Sequence, residues 1–185
     1  MAHRVCPWWI GYFLASPLRK LRQDPHAILS PFVREGMVVL EPGPGMGFFT
    51  LELARLVGPR GRVVAVDVQA RMLSGLRRRA RRAKLQDRID IRQAAADGLG
   101  VADLDGRVDF ALAFAMVHEV PDAAHFLAEI AAALKPGAKL LLAEPKGHVT
   151  EPQLAATLEL AERAGLSLEN RPPIPASRSA LLVRR

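Results

Sequence analysis

Short apolar runs and longer stretches with helical spacing alternate along this chain. Met37–Leu40 is a brief apolar run. "RVVAVD" (Arg62–Asp67), "RIDIRQ" (Arg88–Gln93), "VDFALAF" (Val108–Phe114) and "AKLLLAE" (Ala138–Glu144) repeat the theme, and each reads as a strand. Between them lie helical patterns. Phe48, Phe49, Leu51, Leu53, Leu56 and Val57 predict a helix ended by Gly58-Pro59. Met72, Leu73, Leu76, Ala80 and Ala83 predict another. Phe126, Leu127, Ile130 and Leu134 predict a third, capped by Asp122 and closed by Gly137. Caps mark two more. Asp24 followed by Pro25 opens a helix that runs toward Gly36, with Pro31 as a kink or break. "TEPQ" (Thr150–Gln153) is a capping box, and its helix ends at Gly165. Two strands close the chain, near Leu166–Asn170 and Ser177–Val183, joined by the "RPPIPAS" turn.

Strand and helix therefore alternate, which predicts an α/β fold with a mainly parallel sheet of seven strands and helices on both faces. The last two strands have no helix between them and should pair antiparallel. In such a sheet a ligand lies beyond the carboxyl ends of the strands, at the switch in strand order.

Composition narrows the classes. The 185 residues, half of them hydrophobic, suffice for one domain with a real core. A single cysteine, Cys6, excludes an internal disulfide framework and a multi-cysteine metal site. The net charge is +7, much of it in "LRRRARRAK" (Leu76–Lys84). That run is either a basic stripe for nucleic acid or anionic lipid, or the solvated face of an arginine-rich helix; without a motif, the second reading weighs more. "VCPWWIGYFLAS" (Val5–Ser16) faintly resembles a signal peptide, but Pro7 interrupts it and it is too short to span a membrane. The expected compartment is the cytoplasm.

The chemistry gathers in "MVVLEPGPGMGFFTLELA" (Met37–Ala54), where Gly43, Gly45 and Gly47 stand at every second position between strand and helix. The dinucleotide fingerprint is G-x-G-x-x-G, in which loop N–H groups cradle a pyrophosphate. Here the spacing differs, and Pro42 and Pro44 each remove an N–H. Glu41, at the end of the first strand, would repel a phosphate and attract an ammonium or sulfonium. Asp67, at the end of the second, is placed to accept hydrogen bonds from two ribose hydroxyls. A ribose, a positive charge and no phosphate describe S-adenosylmethionine.

On these residues, together with "VDFALAFAMVHEVPD" and "LKPGAKLLLAEP", the chain resembles class I S-adenosylmethionine-dependent methyltransferases of the small-molecule branch, such as those of ubiquinone and menaquinone synthesis. The resemblance covers about Glu35 to Ala164. It implies a Rossmann-like fold and a single methyltransferase domain over 1–185, with 1–34 as a lid or substrate segment and 35–185 as the cofactor-binding core. It implies that Glu41, Gly43, Gly45 and Gly47 line the methionine end of the cofactor, that Asp67 holds the ribose, and that Val68 and Met72 lie near the adenine. Relatives carry an acidic residue after the third strand to read the adenine. In "RQAAADGLG" that position falls at Ala95, so either Asp97, two residues on, serves or a backbone group does, and Ala96 between them is counted with the cofactor-binding residues.

Methyl transfer from a sulfonium needs in-line positioning, and a base only when the nucleophile starts protonated. His118 is the first candidate for base or substrate contact, with Glu119 beside it; Glu144, Lys146 and His148 are candidates for substrate contact. A structural hydrogen bond at a loop start is the competing role for His118. The spacing of His118, Glu119, Glu144 and His148 matches no metal motif, so no metal is expected. The "NPPY" loop used on exposed nitrogens of nucleic acid or protein is absent after the fourth strand. Trp8, Trp9 and Tyr12 would fold over the site as an aromatic lid, which favours an acceptor with an apolar or aromatic part; the competing roles are packing against the sheet edge and a membrane-facing segment. The rivals are an RNA methyltransferase gripping phosphates with Arg77–Arg82, and a protein that binds the cofactor without turnover. Oligomeric state is not legible.

Overall fold

The structure is a computed structural model that describes residues 23–95 and 98–185, and these two stretches form separate compact units. In the first, α1 (Pro25–Leu29) precedes β1 (Val38–Pro42), α2 (Thr50–Leu56), β2 (Arg62–Asp67), α3 (Ala70–Arg82) and β3 (Ile89–Gln93). The strands run parallel in the order β3-β2-β1, with Val39 opposite Val63 and Val63 opposite Ile89. Val39, Leu40, Val63, Val64, Leu73 and Leu76 are fully buried. Burying one such side chain contributes about 1.5–3 kcal/mol.

The second unit holds β4 (Val108–Phe114), α4 (Ala123–Ala133), β5 (Leu134–Pro145), α5 (Glu151–Arg163), β6 (Leu166–Asn170) and β7 (Ser177–Arg184). β5 pairs parallel with β4 and antiparallel with β7, which pairs antiparallel with β6. The chain thus has the Rossmann-like α/β fold read from its pattern: a seven-stranded, mainly parallel sheet with antiparallel strands at the end. Among the described residues no helix is long and apolar enough to cross a membrane.

The caps form as read. Asp24 accepts from the His26 N–H, Asp122 from that of His125, and Thr150 and Gln153 make the reciprocal box. Three boundaries differ: α2 starts at Thr50, with Phe48 and Phe49 in the turn before it, and the other two lie beside prolines. α1 stops at Leu29 instead of continuing toward Gly36, because Pro31 lacks an N–H and disfavours helix in the residue before it. α4 gives way to strand at Leu134, ahead of Gly137. Leu134 is extended (φ −69°, ψ 140°), and Pro136 biases Lys135 the same way.

Candidate functional site

In the first unit β1 delivers Glu41 and the glycine loop. Gly43, Gly45 and Gly47 all have left-handed backbone, φ +67°, +54° and +83°. Two positions explain why glycine is required. A Cβ on Gly47 would lie 2.4 Å from Leu76 Cδ1, whereas a Cβ on Gly45 would project into open space. The first is a packing constraint and the second an open cradle. The N–H groups of all three glycines are engaged: Gly43 donates to Val66 O (2.8 Å), Gly45 to Asp67 Oδ2 (3.3 Å) and Gly47 to Pro44 O (2.9 Å). With two prolines beside them, few donors remain for a phosphate.

α3 locks this loop from behind, a role the sequence reading missed. Arg79 donates to the Met46 carbonyl (2.7 Å), and Met46 lies so close to Gly75 that a Cβ there would come within 2.8 Å of its Cγ. The guanidinium of Arg79 is half-buried, and desolvation, followed by the charge of Arg55, lowers its pKa. The legible signal was a glycine inside a helical pattern, which marks close packing. Gly47→Ala combines strained backbone with a steric clash, and we expect it to destabilise the fold by about 2–4 kcal/mol in chemical denaturation.

Glu41 is 3% exposed, and among the described residues its Oε2 has no hydrogen-bond partner. Burial raises its pKa from 4.5 to about 8; Thr50 opposes the rise and the Asp67 carboxylate adds to it. A buried carboxyl with an orphaned oxygen suits a cationic group. Asp67 accepts from the Gln69 N–H (2.8 Å) as well as from Gly45. A carboxylate has lone pairs for about four donors, so it can hold a diol as well. Val68 is 47% exposed, while Met72 is buried on the core face of α3. Ala95 is exposed, and Ala96 and Asp97 lie outside the described residues, as do Trp8, Trp9 and Tyr12.

In the second unit β4 ends in a tight turn. Ala115 has φ +56° and donates to Ala143 O (2.7 Å), which directs Val117–Glu119 into one helical turn. Holding a non-glycine residue there costs roughly 1–2 kcal/mol. Glu144, near the end of β5, anchors the turn. Its Oε1 accepts from the Val117 N–H (2.8 Å) and its Oε2 bonds His118 Nδ1. Expected to meet substrate, Glu144 is instead 2% exposed, with both oxygens engaged in positioning His118. The bond to Glu144 raises the His118 pKa above its usual 6.5 against the opposing effect of burial. Because Nδ1 faces a carboxylate, the network assigns the proton there and the Nε2 lone pair to the other side.

Nε2 lies 3.4 Å from Nδ1 of the exposed His148 and 3.9 Å from Glu119 Oε1. His118, Glu119, Glu144 and His148, which the sequence singled out as a set, thus come together in the structure. Lys146 is exposed elsewhere, lining an open pocket of about 490 Å³ with Arg171, Arg178, Leu154 and Ile174. Among the described residues no group of three or more His, Cys, Asp or Glu side chains is arranged to hold a metal ion.

Fold and loop define a class I S-adenosylmethionine-dependent methyltransferase. Residues 39–137 match the family model described as a methyltransferase domain, and the chain belongs to that family. It is 32% identical over 120 residues to the ubiquinone/menaquinone biosynthesis C-methyltransferase of Klebsiella pneumoniae, covering 65% of this chain and 47% of that protein. It is 36% identical over 112 residues to the counterpart in Hahella chejuensis, covering 60% and 44%. The chain therefore spans about half the length of the curated relatives it matches. Among solved structures, a SAM-dependent methyltransferase from Aquifex aeolicus has the same fold, with TM-score 0.87, 23% identity and coverage of 98% of this chain and all of that one.

S-adenosylmethionine is the cofactor of the class, and the residues present fit it: an orphaned buried carboxyl oxygen at Glu41, an open cradle at Gly45 and a half-buried acceptor at Asp67. Asp67→Ala removes the acceptor. We expect cofactor affinity to fall by roughly 2–4 kcal/mol with the fold retained. Calorimetric titration beside a melting curve checks this; unchanged affinity would leave Asp67 a turn-former alone.

Proposed function

We propose that this chain, its two units acting as one cytoplasmic methyltransferase domain, transfers the methyl group of S-adenosylmethionine to a small molecule with an apolar or aromatic part, at a position that must first lose a proton. The observation that carries this reading is the imidazole of His118, oriented by the buried Glu144, with its second nitrogen facing the exposed His148. A histidine held this way is suited to general-base work.

When bound, S-adenosylmethionine supplies a methyl group on a positively charged sulfur, already activated for displacement. Glu41 balances positive charge, Asp67 orients the sugar hydroxyls, and the Gly45 backbone permits close approach. Nε2 of His118 takes the proton of the acceptor. Glu144 stabilises the imidazolium that results, and His148, within 3.4 Å and exposed, passes the proton to water. Glu119 adds negative charge beside the same nitrogen. A positioned base of this kind contributes about 10²–10⁴ in rate. The quinone-biosynthesis enzymes that this chain resembles favour a hydroquinone or related phenol, whose hydroxyl carries an acidic proton and whose ring carries apolar substituents.

The test is methyl transfer from labelled cofactor to a panel of phenols and hydroquinones, with RNA as the contrasting acceptor. Transfer to a phenolic acceptor is the expected outcome. Intact cofactor binding with no transfer to anything would mark a binding protein, and transfer to RNA alone an RNA methyltransferase. The base also has a pH signature. His118 must be neutral to act, so activity falls as pH drops through its raised pKa. Glu144→Gln removes the main cause of that rise, so the acidic limb of the pH–rate profile should move to lower pH, alongside a lower maximal rate.

A further inference from the structure

Six arginines and Lys84 lie within Ala70–Lys84, with no acidic residue among them. The remaining 19 basic residues are matched by 19 acidic ones, so this one segment supplies the whole net charge of +7. The structure gives the segment a direction. Met72, Leu73, Leu76 and Ala80 are buried, and Arg79 turns inward to Met46. Arg71, Arg77, Arg78, Arg81 and Arg82 are exposed. At 100° per residue they share a stripe about 140° wide along a helix about 20 Å long. Among the described residues Arg77, Arg81 and Arg82 make no ion pair. Like charges packed this closely on a helix destabilise it, and neither packing nor cofactor binding calls for them.

We propose that the exposed face of α3 docks the protein electrostatically on an anionic lipid surface. A straight, convex rod of guanidinium groups matches a plane of phosphodiester headgroups, and arginine binds phosphate with two parallel N–H groups. Every large apolar side chain of α3 is buried, so the helix adsorbs to the surface without inserting. RNA is the weaker fit. Single-stranded RNA is gripped by aromatic stacking as well as charge, and Ala70–Lys84 contains no aromatic residue. The proposal does not depend on the acceptor assigned above, although surface docking would suit an enzyme whose acceptor partitions into membranes.

The experiment is cosedimentation of the full chain with phosphatidylcholine vesicles, with and without phosphatidylglycerol, over a range of salt. Binding should require the anionic lipid and weaken steadily with salt. The triple variant Arg77→Gln, Arg81→Gln and Arg82→Gln should bind anionic vesicles roughly a hundredfold more weakly, at about fivefold per charge. Its melting curve and its cofactor titration should stay unchanged, which separates lost docking from lost folding. Equal binding to neutral vesicles, no binding to anionic vesicles at low salt, or full binding by the triple variant overturns the proposal. So does an unstructured RNA oligonucleotide that binds the wild type more tightly than the vesicles do and loses the triple variant.

Discussion

Glu41→Gln should make the cofactor-free protein more stable above neutral pH while weakening cofactor binding. The carboxyl of Glu41 is buried and its pKa is raised from 4.5 to about 8. The folded state therefore holds this proton more tightly than the unfolded state does. The stability this confers is fully present below about pH 4.5 and is lost as pH rises through about 8. Over that window the loss amounts to roughly 3–5 kcal/mol. A glutamine stays neutral throughout, so the variant should lack this pH dependence. The cation of the donor reverses the balance by favouring the ionised carboxylate. Wild-type affinity should therefore climb with pH up to about 8, with proton release on binding, by as much as tenfold per pH unit. Glu41→Gln should release no proton and bind roughly 30- to 1000-fold more weakly. Titration calorimetry in buffers of different ionisation enthalpy measures both effects. A variant that binds as tightly as wild type, with the same proton release, would remove Glu41 from the cofactor site.

His118→Asn should lower methyl transfer by about 10²–10⁴ while sparing cofactor affinity. Asparagine keeps a hydrogen-bond donor for Glu144, so the buried carboxylate is not stranded; His118→Ala would strand it, at a cost of about 3–5 kcal/mol. Comparing the two variants separates catalysis from folding. If His118 is the base, His118→Asn should melt near wild type, lose the pH-dependent limb and turn over slowly. If His118 merely fixes the turn after β4, His118→Asn should keep most of its activity. Single-turnover rates with a phenolic acceptor decide between the two.

The sequence by itself determined the element order, the helix caps and the glycine loop between β1 and α2. These are local properties. Strand and helix periodicity depend on residues within a few positions, Asp24, Asp122 and Thr150 cap through bonds to N–H groups two or three residues on, and glycine and proline act on their own backbone. Even the misplaced boundaries at Leu29 and Leu134 trace to prolines visible in the chain. Tertiary structure decided what depends on pairs far apart in sequence. Glu144 lies 26 residues from His118, and only strand pairing and the strained turn at Ala115 turn a suspected substrate contact into the carboxylate that holds the His118 imidazole. Arg79 lies 33 residues from the Met46 carbonyl that it holds, so one arginine of a uniform run becomes an inward brace while its neighbours face solvent. The raised pKa of Glu41 follows the same rule. A carboxylate at a strand end is written in the sequence, but its desolvation comes from packing on every side, which the chain acquires only when it folds.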